Sequence, residues 1–195
     1  MSETLTQLTQ QLKTFLSGLP DAVRKALDQA LVPVHFRKNE MLLRAGEWSR
    51  FCYWIEAGVV RKYYLSDGKE IVTELCFASD LAVSFGSHIT QGVSREFLHA
   101  VTDVQAQRLD FVAFQLLRAT HPALERLDLL LTQLYAAWLE ERLLEFHTLD
   151  ATARYEKLVA GQPEVIQQIP LTHVASYLGI SLETLSRIRA RIARK

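Results

Sequence analysis

Glu183 and Arg187 stand one helical turn apart near the end of this chain, and their side chains carry the chemistry of base recognition. An arginine can bond bidentately to guanine, and a glutamate can accept from the amino group of cytosine. Four residues apart on one helix, the two address neighbouring bases of a duplex. Ser186, Ala190, Arg191 and Arg194 share that outward face. A plainer alternative makes the pair an exposed i,i+4 salt bridge on a surface helix, worth about 0.3–0.5 kcal/mol. The residues around the pair decide between the two.

Residues 169–192 meet each demand of a helix-turn-helix at its required offset. Pro170 fits the start of a first helix, where a missing N–H costs nothing. Val174, Tyr177 and Leu178 supply its inward face at three- and four-residue spacing. Ala175 lets a second helix cross closely, and Gly179 permits the sharp turn between them. Ser181 caps the second helix by accepting from a free backbone N–H. Leu185, Ile188 and Ile192 point back into the small core. Residues 182–195 hold five cations (Arg187, Arg189, Arg191, Arg194, Lys195) against the single anion Glu183, in a chain whose 22 basic residues balance 22 acidic ones. A neutral chain with a basic terminal helix suits local phosphate attraction and excludes a general polyanion coat.

At 195 residues, 49 % of them hydrophobic, the chain is long enough to bury one large core or two small ones. It has no run of about 18 apolar residues, and its first residues lack the basic-then-apolar order of a signal peptide. A reducing cytoplasm is the expected setting. Cys52 and Cys76 fit no metal-ligand spacing and read as small buried hydrophobes. The six histidines (His35, His88, His99, His121, His147, His173) show no metal spacing either. No nucleophile elbow, phosphate-cradling glycine loop or paired-carboxylate motif is present, so the sequence reads as that of a non-enzyme.

These residues need elements to position them. A helix is expected over 2–17, with Leu5, Leu8, Leu12, Phe15 and Leu16 on one stripe, and a second short one after Pro20, capped by Asp21. From Leu31 to about Leu109, short aromatic and β-branched runs (31–36, 51–55, 59–65, 71–77, 97–101) alternate with turn signals. Ser66-Asp67-Gly68 is the clearest hairpin turn. Such spacing predicts an antiparallel sandwich or jelly roll. Pro122 then starts a long amphipathic helix through Leu124, Leu127, Leu131, Leu134, Trp138, Leu139 and Leu143. That helix packs on its own domain or pairs two copies, and a stripe this broad has surface for both. A further helix is expected over 148–160. A homodimer is favoured because two-fold symmetry doubles contact with a palindromic site.

A β-rich sensor, a leucine-lined helix and a C-terminal helix-turn-helix containing Leu182-Glu-Thr-Leu-Ser-Arg187 together resemble the Crp/Fnr family of bacterial transcription regulators. Gly46, Gly58 and Asp67-Gly68 fall where the family's cyclic-nucleotide-binding fold turns between strands. The resemblance implies that Glu183, Ser186 and Arg187 read bases. It also places Thr172, His173 and Thr184 near phosphates, with Ser181, Arg189 and Arg191 in the same DNA-binding set. RNA polymerase is an implied partner.

In the family's cyclic AMP pocket a Gly-Glu pair holds the ribose, and an Arg neutralises the phosphate. Here Val83-Ser84 stand at the first positions, and Ser94-Arg95 at the second. The carboxylate is gone and the guanidinium is displaced by one residue, which on a strand turns it to the opposite face. Cyclic AMP is therefore not expected in the family's usual mode, no cofactor is identified, and the effector is an unknown small molecule or none. Many relatives continue into a two-stranded wing, which this sequence lacks past Lys195.

The expected fold is α+β: an N-terminal jelly-roll sensor over 1–118, a central dimerisation helix over 119–146 carrying Leu127, Leu131, Leu134 and Trp138, and an all-α, wingless helix-turn-helix domain over 147–195. The expected function is sequence-specific transcription regulation through palindromic double-stranded DNA. The alternative is a sensor module acting through protein partners. No membrane partner is expected.

Overall fold

Alternation of buried and exposed residues along short strands makes two facing sheets. The computed structural model describes residues 2–163 and 165–193; Arg194 and Lys195, two of the five cations expected on the basic helix, lie outside the described residues. Its contacts group into two units that interleave in sequence, Met1–Leu31 with Val112–Leu149 and Val32–Phe111 with Asp150–Lys195. The expected division ran consecutively along the chain; the observed one follows from the packing of the N-terminal helix on the long central one.

In the first unit, α1 (Glu3–Ser17) packs on α5 (Ala123–Thr148). Ser2 caps α1 by accepting from the Leu5 amide, and its own N–H donates to Glu141 at 2.9 Å. α2 (Asp21–Ala30) starts with Pro20 in the cap position and no side-chain cap bond. Asp21 is thus the first helical residue and not the expected cap, although its charge still suits the helix N-terminus. α4 (Phe111–Thr120) precedes α5, and Arg118 spans to Glu125 and Asp128 on it.

Leu124, Leu127 and Leu130 are buried along α5. Leu127 thus shares the inward face of the helix with its neighbours a turn away. Leu131, Leu134 and Trp138 are half-buried, and Leu129, Leu139, Leu143, Leu144 and Phe146 are exposed.

In the second unit, one sheet has the order β1-β8-β3-β6 and the other β2-β7-β4-β5. The strands are β1 (Leu31–Phe36), β2 (Met41–Leu43), β3 (Phe51–Ala57), β4 (Val60–Ser66), β5 (Lys69–Cys76), β6 (Leu81–Ala82), β7 (Phe97–Ala100) and β8 (Val104–Asp110), with α3 (Phe85–Thr90) between β6 and β7. Leu43, Tyr53, Ile55, Val60, Cys76, Leu98, Val104 and Ala106 form the sandwich core. Burial pushes the Cys76 thiol well up, as befits the small hydrophobe expected there.

The Asp67-Gly68 turn has φ of +49° and +73°, the two left-handed residues of a type I′ hairpin, and joins β4 to β5 with Ser66 paired to Lys69. Gly58 sits at φ +90°, where a Cβ would lie 2.1 Å from the Asp103 carbonyl oxygen, so only glycine fits. A bulge at Thr73 pairs Lys62 with Glu74 and Tyr63 with Val72. Val60 through Tyr63 are all buried, because both faces of the β4–β5 hairpin are covered. Val60 belongs to the sandwich core. Val59, Tyr63, Val72 and Leu75 belong to a second core shared with the C-terminal helices.

Those helices are α6 (Ala151–Gly161), α7 (Val165–Gln168), α8 (Leu171–Leu178) and α9 (Leu182–Ile192). Tyr155, Val165, Ile169, Val174, Ala175, Leu178, Leu185 and Ile188 contribute their side of that core, with Ile192 packed against it. Asp150 caps α6 by accepting from Ala153 at 2.8 Å.

A helix-turn-helix with an exposed polar face, and a serine-lined sensor interior

Gly179 ends α8 at φ +68°, and its N–H returns to the carbonyls of Ala175 and Ser176. Ser181 then caps α9, its hydroxyl accepting from the Thr184 amide at 3.1 Å. Arg154 of α6 donates to the Leu178 carbonyl, so the turn is held from a third helix. Ala175 is 2 % exposed at the crossing of α8 and α9. The sequence therefore builds a rigid helix pair, one side of which is sealed by the apolar core.

The outward side of α9 carries Glu183, Ser186 and Arg187, all exposed. Arg187 and Glu183 are ion-paired with side chains 73 % and 75 % exposed, so the contact leaves both groups within reach of a ligand. An exposed pair of this kind adds about 0–1 kcal/mol to stability. Ser186 Oγ donates back to the Leu182 carbonyl. Thr184 bonds Ser181 through its hydroxyl, Thr172 is exposed, and Arg189 is half-buried. Arg191 donates to Thr152 of α6. His173 is half-buried, with its Nδ1 3.0 Å from Arg61 Nη1 of β4. That placement turns it from solvent to the sensor sheet.

Within the sensor, Ser84 and Ser94 come together as the sequence suggested, with their Oγ atoms 2.9 Å apart. Val83 is half-buried beside them. Arg95 is exposed, on the opposite side of the chain from buried Ser94 and Glu96. Ser49 and Ser87 extend the serine cluster: the Ser49 N–H donates to Ser87 Oγ, and Ser84's N–H to Ser49 Oγ.

Sequence reasoning missed the charges at the centre of this interior. Lys62, with its side chain 2 % exposed, is ion-paired to Glu74, and its Nζ lies 3.7 Å from Glu96. Ser84 Oγ donates to Glu96. Burial and a hydrogen bond to Glu96 push the Tyr64 phenol up to about 12. The available signal was periodic: Glu96 follows Ser94 by two, and so shares its face of the chain.

Residues 33–121 match the family described as "Cyclic nucleotide-binding domain". The chain is 26 % identical over 170 residues to the anaerobic regulatory protein of Haemophilus influenzae, covering 80 % of this chain and 64 % of the relative's length. Among solved structures, it superimposes on FixK2 from Bradyrhizobium japonicum with a TM-score of 0.68 at 20 % identity, over 84 % of this chain and 85 % of that one. The global regulator CLP of Xanthomonas campestris gives 0.66 at 15 % identity, over 90 % and 92 %. At these identities the structural likenesses show the fold. The protein thus combines a cyclic-nucleotide-binding-type sensor with a helix-turn-helix. In this combination it is similar to regulators of the Crp/Fnr family.

Proposed function

We propose that this chain is a sequence-specific transcription regulator that reads palindromic duplex DNA as a homodimer. The observation carrying this reading is the capped α8–Gly179–Ser181–α9 unit presenting Glu183, Ser186 and Arg187 together to solvent. In that reading Arg187 bonds guanine and Glu183 accepts from cytosine, while Thr172, Thr184, Arg189 and Arg191 lie toward phosphates. The second copy pairs along α5 through exposed Leu129, Leu139, Leu143, Leu144 and Phe146, an apolar stretch that water does not favour. Selection of bound sequences from random duplexes, followed by footprinting, tests the reading.

We read the sensor as not taking cyclic AMP in the family's usual mode. Ser84 and Ser94 occupy the positions of the ribose-binding carboxylate and the phosphate-binding guanidinium. Arg95 faces out, and Glu96 is committed to Lys62 and Ser84. Losing a charge-assisted phosphate contact costs about 1.5–3 kcal/mol. Calorimetry is expected to give no saturable heat at micromolar cyclic AMP; micromolar binding would overturn this part. Nothing in the reading requires a catalytic residue, and its setting is the bacterial cytoplasm with RNA polymerase as a further partner.

A further inference from the structure

We propose that Arg61, bonded to the imidazole of His173, and the Ser176 hydroxyl, seated on the edge of β5, form a proton-released latch that holds α8 on the sensor sheet. β5 is an edge strand, with β4 on one side and no strand on the other among the described residues. Ser176 Oγ accepts from the Val72 N–H and donates to the Glu70 carbonyl, both at 2.9 Å, and so stands in for a neighbouring strand. One hydroxyl thus satisfies both polarities of the edge, from a helix 104 and 106 residues further along the chain.

The second anchor is Arg61, 4 % exposed, whose guanidinium has donors only. It makes two bonds to the Glu70 carboxylate, lies 4.2 Å from the centre of the Tyr63 ring, and donates Nε to His99 Nδ1 at 3.1 Å. Its Nη1 lies 3.0 Å from His173 Nδ1. Since arginine cannot accept, each imidazole accepts through Nδ1 and carries its proton on Nε2. The charged and titratable groups facing His173 are therefore Arg61 of β4, Glu70 of β5 and His99 of β7.

Protonating His173 removes the acceptor and sets a second cation against the guanidinium. Burial, then Arg61, hold the His173 pKa below 6.5, so the latch is closed at neutral pH and opens on acidification. The latch draws the imidazole toward the sheet and away from any phosphate beside α8. Its consequence for DNA therefore rests on the proposed function, whereas the latch itself does not.

The test is hydrogen exchange on the full chain without DNA, from about pH 7.5 to about pH 5, corrected for intrinsic rates. Losing one charge-assisted hydrogen bond should lower protection of the Val72 amide and of residues 171–178 by roughly ten- to a hundredfold. Protection at Ile55 and Leu98, in the sandwich core, should fall by no more than the change in global stability over the same range, and by less than at α8. His173→Gln keeps an acceptor that cannot protonate and should abolish the step, while His99→Gln should retain it. A flat wild-type profile, or an undiminished step in His173→Gln, overturns the latch. Direct NMR titration of wild-type His173 is an independent measurement: a neutral Nε2–H form titrating below 6.5 supports the latch, and titration at or above 6.5 refutes it. Failure of DNA binding with an intact exchange step would sink the regulator reading and leave the latch standing.

Discussion

Replacing Lys62 by Met should destabilise the sensor more than any surface charge change, and the geometry sets the size. The Lys62 side chain is 2 % exposed and those of Glu74 and Glu96 are 10 % each, so solvent screening gives little relief. Removing one partner of a buried pair costs about 3–5 kcal/mol, because the remaining carboxylates stay desolvated without a cation. An exposed pair would cost about 0–1 kcal/mol. With a urea slope of about 2–3 kcal/mol per molar, the Lys62→Met midpoint should fall by roughly 1–2 M. Circular dichroism at zero denaturant should still report the folded chain. In the double variant Lys62→Met/Glu74→Gln one orphan charge is gone, so its loss should be smaller than the sum of the single losses by about 1 kcal/mol or more. A Lys62→Met loss below about 1 kcal/mol, or strict additivity, would refute the claim that this pair fills the sensor interior as a buried charge network.

Other consequences follow from exposure and titration. Leu143 is 61 % exposed on α5, so Leu143→Glu should leave thermal stability of the isolated chain within about 0.5 kcal/mol while shifting sedimentation from dimer to monomer. A dimer unchanged by Leu143→Glu would remove this part of α5 from the interface. Burial lowers the His99 pKa from 6.5 to about 4 and lowers that of His173 in the same direction. The unfolded chain therefore binds more protons in this window, so the stability these groups contribute is present above 6.5 and lost as pH falls toward about 4. Urea midpoints across that range should decline with acidification, and less steeply in His99→Gln. A midpoint that rose over the window would contradict the buried neutral imidazoles.

The parts of the molecule legible in the sequence are those fixed by local chemistry. Gly179 and Ser181 announce the turn between α8 and α9, because a left-handed backbone and a free N–H each admit few residue types. Asp67-Gly68 does the same for the β4–β5 hairpin. β6 is two residues long, and β8 alternates glutamines with small buried residues, so neither forms an apolar run.

The charges were the larger omission. A Lys and a Glu in mid-strand normally read as solvent-facing, and only the folded pairing of β4 with β5 brings Lys62 to Glu74 inside the sandwich. Arg61 and His173 are 112 residues apart, and no spacing rule reaches that far. The burial of Leu127 within the chain was not legible for another reason. The α5 stripe is wide enough for two faces, and periodicity alone does not say which one is buried within the chain.

Base readout by α9 is the claim on which the functional account stands. The most direct measurement is the sequence preference of the wild-type chain beside that of Arg187→Ala, both by selection from random duplex DNA at fixed salt. The account predicts one palindromic site for wild type, and a variant that loses about 1–3 kcal/mol of discrimination at a single base pair in each half-site. An unchanged preference in Arg187→Ala, or no preferred sequence for the folded wild-type chain at any ionic strength, would contradict it.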